Sequence, residues 1–263
     1  MKLNVISDLH CELGPAPENY VEWFDFEPEK LEPADYLIVA GDTGYATTER
    51  EIIRDLRRRT EGKFKNILTI KGNHSYWVPR LESHATEADF AAMAPNDTID
   101  LVDGNVAIIG TTLWTNRTNR DEVLMMNDYK HIPTFTPELK EKRFAEESEF
   151  IRNKWLEYKK QGLKVVIVTH HNPRSCSEMP EDSRMHEDVH TAYWVSHKVL
   201  DDIKPDLWIC GHIHENFDGE IDGVRIVRHP IGYRWGWYEP NPNSEYGRKL
   251  MASWYNKIVE IDA

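Results

Sequence analysis

Five short stretches of this 263-residue sequence concentrate side chains that bind metal ions or move protons: Asp8-Leu9-His10, Gly41-Asp42, Gly72-Asn73-His74, His170-His171 and Gly211-His212-Ile213-His214. Carboxylate oxygens, imidazole nitrogens and a carboxamide oxygen suit borderline to hard divalent ions. The three cysteines, Cys11, Cys176 and Cys210, lie far apart, which argues against a structural zinc knuckle, copper(I) and an iron–sulfur cluster. The donor set therefore points to a catalytic transition-metal site. One Gly-Asp or Asp-x-His alone is weak, because such pieces recur by chance. The force lies in five of them in order, each following a strand-like run.

Those runs are short, apolar and rich in β-branched residues: 3–6, 36–40, 66–70, 106–109, 165–168 and 207–210. Such runs read as buried strands. Helically spaced segments of mixed charge lie between several of them, at 48–59, 87–93, 137–160 and 193–203, so the fold class is α/β. In an open α/β sheet, ligands bind at the carboxyl edge, where the loops converge. Every signature falls at that edge, and glycines at 41, 72 and 211 permit the sharp turns such loops need. Thr136 and Pro137 mark the start of the longest helix and Gly162 its stop. Asp222-Gly223 between 218–221 and 224–227 signals a two-residue hairpin, and 257–261 is a last candidate strand. Residues 233–255, with Trp235, Trp237 and Trp254, read as an irregular aromatic-rich excursion. A single domain over 1–263 is expected, without internal repeats.

Acidic side chains outnumber basic ones 45 to 32, a formal charge of −13, so the surface repels a polyphosphate backbone and stable nucleic-acid binding is not expected. A small phosphorylated substrate is not excluded, since metal ions in a cleft dominate the local potential. No apolar run approaches the roughly 20 residues of a membrane span. Residues 1–6 lack the features of an export signal. With an odd number of dispersed cysteines, these point to a cytoplasmic location without membrane contact.

Taken together, the five signatures resemble those of the calcineurin-like metallophosphoesterase superfamily over residues 8–214. Gly110-Thr111-Thr112-Leu113-Trp114, Met126-Asn127-Asp128-Tyr129 and Thr169-His170-His171-Asn172-Pro173 are similar to a bacterial and phage subgroup of small stand-alone phosphoesterases. The resemblance implies a four-layer αββα sandwich with two central mixed β-sheets. It implies two metal ions, one held by Asp8, His10, Asp42 and His214, the other by Asp42, Asn73, His170 and His212, with Asp42 bridging. His74 would then act on the scissile group and protonate the leaving oxygen, after attack by a hydroxide bridging the ions. Mn, Fe, Zn and Ni all accept these donors, with Mn the first choice in assays. One departure bears on His74. The Gly-Asp-x-x-Asp form of the second signature is not completed by a carboxylate, and Ser75 stands where the third often has Asp or Glu, so a partner from elsewhere must orient the ring.

Asn73, His74, His171, Asn127, Tyr76 and Asn116 are candidate substrate contacts. His84, His131, His186, His190, His197 and His229 read as surface or capping residues. Three functions stay open: a hydrolase of small phosphodiesters or monoesters such as cyclic nucleotides or nucleotide derivatives, a nuclease, and a non-catalytic interaction module on the same fold. The full ligand set favours an enzyme, and the acidic charge favours small substrates. The aromatic excursion is the place to seek a homo-oligomer contact.

Overall fold

The computed structural model describes residues 1–13, 26–45, 48–77, 98–116, 126–173, 201–232, 255 and 257–262. In chain order the elements are β1 (Lys2–Ile6), β2 (Tyr36–Ala40), α1 (Glu49–Arg59), β3 (Asn66–Ile70), β4 (Ile99–Asp103), β5 (Val106–Thr111), α2 (Asp128–His131), α3 (Pro137–Lys160), β6 (Lys164–Thr169), β7 (Leu207–Cys210), β8 (Phe217–Ile221), β9 (Val224–Arg228) and β10 (Ile258–Glu260). The expected helix at 87–93, most of that at 193–203 and nearly all of the excursion at 233–255 lie outside the described residues, as do Cys176, His84, His186, His190 and His197.

Two sheets form. One has the order β10-β1-β2-β3, the other β4-β5-β6-β7-β9-β8. Strands β1, β2 and β3 run parallel, as do β5, β6, β7 and β9. Among the described residues, the edge strands β10, β4 and β8 pair antiparallel to their neighbours. Sequence dictates this division: β2 and β7 are buried along their whole length, as strands covered on both faces must be. Strand β4 instead has only Ile99 buried and exposes alternate positions, Asp100 and Val102.

Packing builds four layers. Leu3, Val5, Ile38 and Ala40 of the first sheet meet Ile108, Val166, Val168 and Ile209 of the second in a shared core. Beyond the first sheet, Val39 and Leu37 pack on Ile52 and Leu56 of α1. Beyond the second, Ile109, Val165 and Ile167 pack on Phe144, Ile151 and Tyr158 of α3. The αββα sandwich is thus present. Truncating a side chain between the sheets, such as Ile38→Ala, should cost about 2–5 kcal/mol.

Local signals act as their chemistry requires. Thr136 caps α3, its Oγ1 accepting from Leu139 N at 3.2 Å. Gly162 after α3 has φ +77°. Asp222 and Gly223 both take positive φ, the two-residue turn that matches the strand twist of the β8–β9 hairpin. Cys11 and Cys210 are free, buried thiols. Among the described residues, no helix is long and apolar enough to cross a membrane.

Candidate metal centre

The loops after β1, β2, β3, β6 and β7 meet at one sheet edge, and their backbones are stitched together. Asp8 N donates to Gly41 O, His10 N to Asp42 O, His170 N to Thr112 O and Gly211 N to His170 O, at 2.9–3.1 Å. The chain turns abruptly where each strand ends. Of seven non-glycine residues with positive φ among the described residues, four are Asp8, His10, Asp42 and His212. Left-handed backbone costs a non-glycine residue of order 1–3 kcal/mol and persists where surrounding contacts enforce it. Two glycines are required by close approach. A Cβ on Gly72 would lie 2.1 Å from Asp42 Oδ1, and one on Gly41 would lie 2.3 Å from His170 Nδ1.

The donor atoms face one another. His10 Nε2 is 3.1 Å from His214 Nε2, and His214 Nε2 is 3.4 Å from Asp8 Oδ1. On the other side, His170 Nε2 is 3.0 Å from Asn73 Oδ1. Asp42 Oδ2 stands between the groups, 3.7 Å from His10 Nε2 and 3.3 Å from His170 Nε2. His212 joins Asp42 and His170, with ligand atoms within 4.8 Å of one another. Ligands about 2.0–2.2 Å from one ion lie roughly 3.0–3.6 Å from each other, so most of these spacings are those of a coordination shell. The donor chemistry fits as well: two buried carboxylates among imidazoles are costly to bury without cations. Asp8, His10 and Asp42 are buried, whereas the His214 side chain is 23% exposed, so the cluster opens toward solvent there.

Side chains behind the donors fix them. Asp42 Oδ1 accepts from His74 N at 2.9 Å, leaving Oδ2 for the centre. Asp8 accepts from His212 N through both oxygens and from Ser7 Oγ. Asn73 Nδ2 donates to Asp128 Oδ1 at 2.9 Å, which turns its amide oxygen toward His170. Trp77 Nε1 donates to the same Asp128 oxygen at 2.8 Å. Trp77 also lies between two imidazoles, stacked on His74 at 3.6 Å and on His131 at 4.5 Å between centroids. Glu12 Oε1 accepts from His74 Nδ1 at 2.8 Å and from His10 Nδ1 at 2.9 Å.

The electrostatics follow from crowding without cations. Burial works against the charge on Asp42, but His170 and His74 outweigh it and hold the carboxyl well below its ordinary range. Burial also opposes the charge on His170, yet Asp42 raises this imidazole to about 9. Burial and the neighbouring His170 push His171 down to about 3. Burial would raise Glu12, but His10 and His74 bring it down to about 2. Asp128 is raised, chiefly by burial, although Trp77 and Asn73 oppose the shift.

All seven expected donors, Asp8, His10, Asp42, Asn73, His170, His212 and His214, converge, and His74 adjoins them. His171 is buried beside the cluster, its ring 4.4 Å from that of His212, with no hydrogen-bond partner for Nε2 among the described residues. The other candidate contacts lie elsewhere. Tyr76 is buried in the core with its hydroxyl 3.4 Å from Thr112 Oγ1. Asn127 is exposed, its Oδ1 accepting from Lys130 Nζ. Asn116 is half-buried. His229, read as surface or capping, is in fact buried, because it follows β9 into the sheet edge beside Ser7. Sequence reading missed Glu12, two residues past the first signature, and the supporting role of Asp128, which lies inside the quoted Met126-Asn127-Asp128-Tyr129 stretch.

A doubly covered α/β sandwich that gathers carboxylates and imidazoles at its strand ends defines a metal-binding protein built for hydrolytic chemistry. The chain belongs to the calcineurin-like phosphoesterase family, whose model matches residues 1–216. That family uses a dinuclear metal centre. No curated protein sequence matches the chain. Among solved structures, the phosphopantetheinyl hydrolase of Mycobacterium tuberculosis is similar at 19% identity, covering 88% of this chain and 89% of that one, with a TM-score of 0.62. A dimetal phosphatase from Danio rerio matches at 11% identity over 87% and 86% of the two chains, with a TM-score of 0.49. At 19% identity the likeness to the phosphopantetheinyl hydrolase speaks for the fold alone.

Proposed function

We propose that the chain hydrolyses small phosphodiesters, with monoesters within its range, such as cyclic nucleotides or nucleotide derivatives. In this reading one ion would be held by Asp8, His10, Asp42 and His214, and a second by Asp42, Asn73, His170 and His212. The observation that carries the reading is Asp42 Oδ2, which lies within 3.7 Å of His10 Nε2 and 3.3 Å of His170 Nε2. One oxygen serving two donor groups is the arrangement a bridging carboxylate requires. When bound, the ions neutralise phosphoryl charge and make a nucleophile of water available near neutral pH.

The chain's own residues supply the rest. Asp42 keeps its orientation because His74 N holds the other oxygen. Asn73 presents its amide oxygen because its Nδ2 donates to Asp128 Oδ1. His74 delivers a proton to the leaving oxygen, which matters most for alcohols that leave poorly. His171 is buried beside the cluster with Nδ1 turned to Thr112 O, so it supports the packing of His212 rather than donating to a substrate oxygen. The −13 charge supports small substrates over polynucleotides.

The test is hydrolysis of bis-p-nitrophenyl phosphate against p-nitrophenyl phosphate by metal-stripped protein, with Mn²⁺, Ni²⁺, Zn²⁺ or Mg²⁺ restored. The expected result is metal-restored activity with the diester preferred. Hydrolysis of neither ester with any ion would overturn the reading, and tight salt-sensitive binding of DNA or RNA would turn it toward a nuclease.

A further inference from the structure

His74 takes its carboxylate from a part of the chain that neither the second nor the third signature contains. Glu12 Oε1 lies 2.8 Å from His74 Nδ1 and 2.9 Å from His10 Nδ1. The two rings meet edge to face, with centroids 4.5 Å apart. The Glu12 side chain has no exposed surface, and its second oxygen has no hydrogen-bond partner among the described residues. Its capacity to accept hydrogen bonds is therefore directed at these two imidazoles. A buried carboxylate so placed is costly unless the groups beside it use its charge.

Local structure explains how a residue two places after His10 turns back to reach it. Residues Cys11–Leu13 form a single 3-10 turn, and Cys11 N donates to Thr43 O at 3.1 Å, pinning the turn to the loop after β2. A side chain beginning at Gly44 would start 3.9 Å from Glu12 Oε2 and would strike Ile52 Cδ1 at 2.5 Å. The absence of a side chain there keeps the second loop close while the carboxylate enters from the first. The second-signature carboxylate is missing, and a carboxylate from the first loop sits alongside that loop.

We propose that Glu12 is a positioning residue shared by both imidazoles. Its single oxygen accepts both Nδ1–H groups, so each ring keeps its proton on Nδ1 and reserves Nε2 for the centre. For His10 that nitrogen would offer its electron pair to an ion; for His74, acting as an imidazolium with a second proton on Nε2, it is the proton donor to the leaving oxygen. The inference rests on the phosphoesterase reading above. In the step concerned, water adds to phosphorus and loses one proton to solvent. The P–O bond to the alcohol breaks, its electron pair captures the Nε2 proton of His74, and solvent later returns a proton to that nitrogen. Nδ1–H stays on Glu12 throughout.

The test uses Glu12→Gln, His74→Asn and the double variant in full-length protein. Substrates are aryl methyl phosphodiesters graded from p-nitrophenyl to phenyl, at saturating Mn²⁺. Glu12→Gln should lower kcat about 10–100-fold on the phenyl ester, in the range seen when a carboxylate behind an imidazole is removed. The loss on the p-nitrophenyl ester should stay below about threefold, with KM little changed, since that alcohol needs little protonation. The double variant should lose no more than His74→Asn alone. Mn²⁺ affinity, read by equilibrium dialysis, should fall because His10 is released. In metal-free protein, long-range ¹H–¹⁵N spectra should assign Nδ1–H to both rings in the wild type and lose that assignment in Glu12→Gln.

Equal losses on all esters, additive losses in the double variant, or unchanged ring tautomers would each overturn the proposal. Wild-type protein inactive on every ester would instead overturn the reading it rests on, and the metal-free spectra keep the two failures distinguishable. If Glu12→Gln does not fold, Glu12→Asp replaces it: the charge is kept one methylene shorter, and the same discrimination between esters is expected.

Discussion

Taken sheet by sheet, the two sides of the candidate metal centre are held by different means. Two donors of the first sheet have carboxylates behind them, Glu12 behind His10 and Asp128 behind Asn73, while backbone N–H groups hold Asp8 and Asp42. Behind the donors from the second sheet stand backbone and other rings. His170 Nδ1 donates to Ala40 O at 2.9 Å, and the ring packs edge-on against His212 at 5.0 Å. A carboxylate orients an imidazole and raises its basicity, whereas a carbonyl orients with far less charge. The first side is therefore open to disruption by substituting a supporting side chain. On the second side the main support is main chain, and the accessible lever is the proton on His170.

The largest expected effect removes the comparison altogether. Asp42→Asn takes the shared oxygen from both sides, so elemental analysis should find both ions lost. The kcat/KM for bis-p-nitrophenyl phosphate should fall at least about 10³-fold, given the several kcal/mol that bound ions contribute to the transition state. Retention of one ion would mean that one side is sufficient by itself.

Next in size is a pH effect particular to the second side. The His170 pKa is raised from 6.5 to about 9 in the folded, metal-free chain. Its contribution to stability is fully present below pH 6.5 and is lost as pH rises through 9. Denaturant unfolding of chelated protein should show a loss on the order of 1–3 kcal/mol across that window. With ions bound the loss should vanish, because the ions displace the proton. Parallel curves with and without metal would remove the proton's role.

On the first side, Asp128→Asn should reduce Mn²⁺ affinity about 10–100-fold by isothermal titration, the usual cost of a lost support behind a ligand. An unchanged isotherm would show that Asn73 needs no carboxylate. The smallest effect lies far from both sides and calibrates them. Asp218 pairs with Arg225 through both oxygens and with Lys257 at 2.7 Å, on a partly exposed surface. Asp218→Asn should cost about 0.5–1 kcal/mol in denaturant unfolding, without altering metal content.

The ligand-bearing strands were legible because parallel strands buried on both faces are nearly unbroken apolar runs, each stopping at its signature. Strand β4 was not, because it is an edge strand carrying acids: Asp100 meets Tyr158 and Lys154, and Asp103 meets Tyr36. Glu12 was not legible because it belongs to neither the second nor the third signature, lying 62 residues before His74 and reaching it only through the turn after β1. The sequence points to Asn127 as a candidate contact, whereas the structure gives the supporting place to its neighbour Asp128. The short turn of α2 leaves Asn127 exposed and buries Asp128, a distinction four residues are too few to reveal by periodicity.

Dividing the ligands between two sheets also sets a timetable. Asn73 and His170 meet at the centre although 97 residues separate them, and 204 separate His10 from His214. At about 5–20 residues per second of synthesis, Asp8, His10, Asp42 and Asn73 exist for roughly 5–20 s before His170 is made. Contacts spanning such distances form late, after the entropy of closing long loops has been met. The nascent chain thus carries half of the candidate cluster through much of its own production, and the full donor set assembles once the two sheets have docked.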